Sequence, residues 1–406
     1  MKAFTRLLLS IGLAALVVAC GGGSGSGGSG DSPGYTETVL HSFGAGTDGA
    51  NPSARLLLAA DGNFYGTTVN GGASAVGTIF QMSSAGVVQA FYSFSGGSTG
   101  GANPEEALTQ GNAGNFYGTT RNGGTYDKGI VFKITPAGVK TVLHEFGSGS
   151  DGANPIAAVV QASDGYFYGT TFYGGNNDKG TLFKVSADGT GYSVIHHFGS
   201  GDDGANPAAG LVVGSDGKLY GTTYYGGGVT NYGTVFRAST TGLETVLHAF
   251  TGGAGGAYVD VGLVEGSDGN FYGVTAGGGE GGVGTVFKLT PAGDTTGTYA
   301  FDVIYAFAGG EDGARPGDGA SPSSRLIQAQ DGDFYGTTFI GGANEVGTVY
   351  RISTAGTVTV VYSFGASPTD AVYPDSALVQ RLDGFLYGTT EYGGDLGLGT
   401  VYRLGF

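Results

Sequence analysis

Three acidic residues stand where acid–base chemistry could be done. Glu105, Asp260 and Asp375 each come directly after the Pro-equivalent position of a repeated unit whose other copies carry Ser, Ala or Ile there. Paired carboxylates of this kind can run glycoside hydrolysis, one as general acid and the other as base or nucleophile. Arg55 and Arg325 share another position that is Ala or Gly in the other copies, and Arg121 and Glu391 lie in loops beside them. A one-site enzyme must depart from its own repeat, and these are the departures; unconnected surface charge would produce the same pattern. Asn70, Asn122, Tyr173, Tyr225 and Tyr392 precede Gly-Gly doublets. They offer hydrogen bonding and stacking to a glycan or a protein loop. A Gly-rich insertion, EDGARPGDGASP, gathers Glu311, Asp312, Arg315 and Asp318.

Two further patterns resemble sites and have plainer readings. DGANP recurs at Asp48, Asp151 and Asp203, and repeated Asp-Gly-x-Asn could coordinate Ca²⁺ through oxygen. Each copy offers one carboxylate and then a Pro, however, which an Asx-type turn explains without a metal. His41, His144, His196 and His248 share one position, occupied by Tyr92, Tyr305 and Tyr362 in the other copies. That position is on the outermost strand of its unit, so the four cannot converge, and an inter-blade contact with a hydrogen-bonding tip is expected instead. No H-E-x-x-H helix or P-loop occurs, so no cofactor or metal is expected.

The elements that must position these residues follow from the period. The Tyr of an aromatic pair before Gly-Thr (FYGTT in most copies) falls at 65, 117, 168, 220, 272, 335 and 387, giving spacings of 52, 51, 52, 52, 63 and 52. Read from Pro155, one unit divides into IAAVVQA, YFYGTTF, GTLFKVS and SVIHHF, four strands A to D with short A–B and C–D turns. A four-stranded meander is a propeller blade, and a period near 50 suits it. The repeat domain opens with a D strand, Glu37 to Phe43, and ends with a C strand, Gly399 to Leu404. The sequence therefore predicts an all-β, seven-bladed propeller over residues 35–406, closed by the N-terminal strand completing the last blade. A β-solenoid is the alternative, with much shorter rungs. The 63-residue spacing places extra residues in a longer C–D hairpin around Asp294 to Phe301 and in the insertion from Glu311 to Pro322.

These repeats resemble the bacterial tandem-repeat proteins called GloVer-containing, which are described as having a choice of anchor. The carriers are DGxFYGTTxxGG followed by GTVF, with GLV at Gly210 to Val212 and Gly262 to Val264. The resemblance implies an anchored extracytoplasmic repeat domain and supplies no catalytic residue. The Gly-Gly doublets and the period are also kelch-like, although the chain has no Trp.

Composition agrees with turns and short strands. Gly accounts for 86 of 406 residues, and Gly is the poorest helix former after Pro. The formal charge of −16 repels phosphate backbones, so nucleic acid is not an expected partner. A single Cys excludes internal disulfides. Residues 1–19 carry Lys2 and Arg6 before a short apolar run, the order of an export signal. Val17-Val18-Ala19-Cys20 resembles the bacterial lipobox, which implies lipidation of Cys20, and residues 20–34 form a Gly/Ser tether. The expected protein is thus an outer-membrane lipoprotein, periplasmic or surface-facing. It would be a binding or scaffold module for glycans or proteins, with a polysaccharide-active hydrolase or lyase as the alternative.

Overall fold

The computed structural model describes residues 34–405 apart from residues 45, 148, 294–296 and 309–319. Cys20, Glu311, Asp312, Arg315 and Asp318 lie outside the described residues. Among the described residues no helix is long and apolar enough to cross a membrane.

The strands form seven antiparallel meanders arranged as a closed propeller. Blade 3 is representative: strand A is Val160–Gln161, B is Phe167–Thr171, C is Thr181–Val185 and D is Tyr192–His197, paired in that order. Closure is as expected from the sequence. The first strand, Thr36–Ser42, pairs with the last, Thr400–Gly405, from Thr36↔Gly405 to Ser42↔Thr400, and so supplies strand D of blade 7. The long hairpin of blade 5 is also present, Thr285–Pro291 paired with Tyr299–Ala306.

The aromatic–Gly–Thr element explains itself blade by blade. Outside blade 2, whose turn has no Asp, its Tyr hydroxyl donates to the Asp of the A–B turn, as Tyr168 to Asp164 at 2.7 Å and Tyr272 to Asp268 at 2.7 Å. The Tyr ring packs on the Phe of the next blade, as Tyr117 on Phe167 at 3.8 Å, and Tyr387 on Phe64 at 4.6 Å carries the ladder across the closure. Such pairs contribute about 0.5–1.5 kcal/mol beyond simple burial. A side chain on Gly66 would lie 2.3 Å from the Phe80 ring, so the strand B glycine is the space that ring occupies. The second Thr bonds the Thr that opens strand C, as Thr171 with Thr181 at 2.9 Å.

The first Thr reaches into the next blade: Thr119 donates to Ala157 O and Thr389 to Ala54 O, both at 3.0 Å. Strand A differs from the sequence reading: it is two residues long where IAAVVQA suggests seven, since only Val160 and Gln161 pair with strand B. The Phe closing each D strand, from Phe43 to Phe364, is fully buried between sheets.

Candidate functional site

On the face carrying the D–A and B–C loops, the two loops of each blade are joined by backbone bonds, as Ala50 with Asn70, Ala153 with Tyr173 and Ala205 with Tyr225. The Asn of DGANP makes this possible. Asn51, Asn103, Asn154 and Asn206 adopt φ near +55°, a left-handed conformation that Asn tolerates. Each side-chain amide donates across the blade boundary, as Asn206 Nδ2 to Phe172 O at 2.9 Å. Asn70 and Asn122 donate to the Oδ1 of Asn51 and Asn103 at 3.1 and 3.0 Å, so these amide nitrogens belong to the loop scaffold. The tyrosines are placed differently. Tyr173 is 43% exposed and edges onto Phe172, Tyr225 stands against Tyr224 and Tyr258, and Tyr392 lies 6.2 Å from Tyr373. They form separate aromatic ledges spread around the face.

The departures from the repeat converge elsewhere. Arg55, Glu106, Asp260, Arg325 and Asp375 line one cavity of about 120 Å³ in the central channel, with Ser53, Ser324 and Ser376. Glu105 does not join them, because its carboxylate pairs with Arg121 at 3.0 Å. The arginines fit because their position is Ala107, Ala158, Gly210, Gly262 and Ala377 in the other blades. A side chain at Gly262 would come within 2.9 Å of Gly210 O and 3.5 Å of Arg325 Cδ. Burial pushes the Arg325 guanidinium down to about 10, with repulsion from Arg55 adding to the shift and Glu106 opposing it. Burial likewise lowers Arg55, again opposed by Glu106. Both remain charged at neutral pH, as a guanidinium does in a protein. The cavity thus sets two half-buried guanidinium groups, each able to grip an oxyanion, among three carboxylates, Glu106, Asp260 and Asp375. Sequence reasoning overlooked Glu106, although the signal was there: its position is Ala, Val or Ser in the other repeats.

A family model described as the Gloeobacter/Verrucomicrobia repeat matches residues 21–161, 112–319 and 315–405. The chain belongs to this repeat family. No curated protein matches it. Among solved structures it is similar to the extracellular domain of a hybrid two-component system protein of B. thetaiotaomicron, at 11% identity and a TM-score of 0.57, covering 92% of this chain and 41% of that one. A one-component system protein of the same organism gives 11%, 0.57, 91% and 40%. The chain thus spans about two fifths of each. Oligogalacturonate lyase of Vibrio parahaemolyticus gives 12% identity and a TM-score of 0.56, covering 91% of this chain and 93% of that one. At these identities the likeness is one of fold.

In this Gloeobacter/Verrucomicrobia repeat protein, the shared His/Tyr position forms contacts between blades. His144 stacks on Tyr192 of the next blade at 3.3 Å, and its Nε2 is 3.1 Å from Asp151 Oδ2. Asp151 also accepts from the Tyr192 hydroxyl at 2.6 Å and from the Gly147 and Gly152 amides, which commits the carboxylate of DGANP. The same place holds His248 on Phe301, where burial lowers the imidazole to about 4, and Tyr362 with Glu37 at 3.0 Å. His144→Ala should therefore lower stability by about 1–2 kcal/mol, read as a fall in the denaturation midpoint, and leave ligand affinity unchanged. Loss of affinity at unchanged stability would contradict the contact role.

Proposed function

We propose that the protein is a membrane-anchored extracytoplasmic binding module. The propeller holds the anionic group of a glycan or protein ligand in the channel between Arg55 and Arg325, while the Tyr ledges contact the rest. The observation that carries this reading is the pair of half-buried guanidinium groups lining one cavity. A low-dielectric channel strengthens an Arg–oxyanion contact over its value at the surface. Anchoring rests on the export-type N-terminus and Cys20, and Cys20→Ser should move the protein from the membrane to the soluble fraction.

Calorimetry with uronate-containing oligosaccharides, their neutral counterparts and acidic peptides tests the binding. Acidic ligands should bind, and Arg55→Ala or Arg325→Ala should weaken them about tenfold or more. Binding that is indifferent to both substitutions would overturn the channel site. A second reading, a hydrolase or lyase, is favoured by Asp260 and Asp375 lining that same cavity. Turnover of the same oligosaccharides, abolished by Asp260→Asn or Asp375→Asn, would establish it.

A further inference from the structure

Three blade boundaries, 2–3, 3–4 and 6–7, carry one three-residue contact in varied form: the His or Tyr of one blade, the Asp of the loop that follows, and the first inward residue of the next D strand. Between blades 2 and 3 the set is His144, Asp151 and Tyr192, with the Tyr hydroxyl donating to the Asp. Between blades 1 and 2 it is Tyr92 and Lys140, where no Asp is present and the ammonium bonds Gly100 O. In both, the third residue completes what the other two lack.

Between blades 3 and 4 the set is His196, Asp203 and Glu244, and here the third residue adds a second carboxylate. His196 Nε2 is 3.0 Å from Asp203 Oδ2, and one donor atom from each of the three residues lies within 4.8 Å of the others. Where Tyr192 supplies a proton to Asp151, Glu244 supplies none once ionised, and Glu244 Oε1 is buried without a hydrogen-bond partner. One imidazole nitrogen and two carboxylate oxygens, one of them an orphaned acceptor, form a donor set for a cation.

We infer that His196, Asp203 and Glu244 form a binding site for one divalent transition cation, of which Zn²⁺ and Mn²⁺ are the representatives. The 3.0 Å separation is what two ligands about 2.1 Å from one ion subtend near a right angle. Ligands at that distance are about 3.4 Å apart in a tetrahedron and about 4.2 Å apart when trans, so the widest pair, at up to 4.8 Å, has to close by about 0.6 to 1.4 Å. The imidazole selects against Ca²⁺ and Mg²⁺, which take oxygen donors. Three protein ligands leave positions for water at this half-buried boundary. The ion would cross-link blades 3 and 4 and neutralise both acids.

The test uses the whole chain, stripped with chelator and then dialysed against Zn²⁺, Mn²⁺ or Ca²⁺. We expect close to one Zn²⁺ or Mn²⁺ per chain by elemental analysis, a melting temperature raised by roughly 3 °C at saturating ion, and no shift with Ca²⁺. Glu244→Gln and His196→Gln should each weaken binding about tenfold or more, and His197→Ala, one residue along, should leave it unchanged. Visible absorption of bound Co²⁺, present in the parent and lost in His196→Gln, reports imidazole coordination even if a variant is less stable. No uptake, stoichiometry unchanged in both ligand variants, or preference for Ca²⁺ would each overturn the assignment.

Discussion

Deleting residues 35–43 is expected to abolish cooperative unfolding and drive the protein into aggregates, the largest effect any short deletion in this ring should produce. The segment supplies the whole outer strand of blade 7, paired from Thr36 to Ser42 with Thr400–Gly405. It also places Phe43 in a fully buried cluster with Phe64 and Phe80. Losing one buried Phe costs about 2–3 kcal/mol, and each of several ladder hydrogen bonds about 1 kcal/mol. Together they approach the roughly 5–15 kcal/mol that holds a typical domain folded. The deletion also removes contacts to blade 6, the Tyr35 hydroxyl at 3.3 Å from that of Tyr335 and Glu37 on Tyr362. It bares the edge of Thr400–Gly405, whose free backbone groups can pair with another chain. Size-exclusion chromatography and a calorimetric melt of the truncated chain check this; a monomer melting like the parent would mean that the strand only decorates the ring.

The closing strand was legible because β-repeats announce themselves by period: a chain that begins with a D-type strand and ends with a C-type strand has one way to complete its last blade. The inter-blade role of the histidines was legible for the same reason, since a residue repeated on outer strands cannot converge. The site was harder to read. Asp260, Asp375, Arg55 and Arg325 were visible as departures from the repeat, yet their meeting in one channel depends on strand A leaving its ladder early. The pairing of Glu105 with Arg121 depends on side-chain direction, which a period does not encode. Glu106 was masked by its neighbour for that reason. Asn70 and Asn122 read as free amides, although their partners are other Asn residues that only the left-handed turns bring near. The co-variation of residue pairs across blade boundaries, His196 with Glu244 or Tyr362 with Glu37, needs the structure to show which positions face each other.

One such boundary makes the closure itself sensitive to pH. Glu37, on the closing strand, lies beside Asp370 of the loop from blade 6 and accepts from the Tyr362 hydroxyl, with Tyr402 close behind. His41 and Asp395 line the same cleft. Burial, then the Asp370 carboxyl, raise Glu37 from 4.5 to about 9. Below the lower value both folded and unfolded chains hold the proton. Between the two, the folded protein keeps it and the unfolded chain releases it, so stability falls as pH rises and the loss is complete above the upper value. The slope for one group is at most about 1.4 kcal/mol per pH unit. With partial solvent access the fall should be on the order of 3 kcal/mol in all. Glu244, raised to about 7, contributes a smaller fall at lower pH, which leaves the interval from pH 7 to 9 chiefly to Glu37. Glu37→Gln retains a neutral acceptor for Tyr362 and has no proton to lose. Its melting temperature should therefore stay level over that interval and exceed the parent's by several degrees at pH 9, and Asp370→Asn should flatten the parent's slope in part. Parallel curves for parent and Glu37→Gln from pH 7 to 9 would show that the carboxyl is already ionised in the folded ring, and that the closing strand carries no proton-linked weakness.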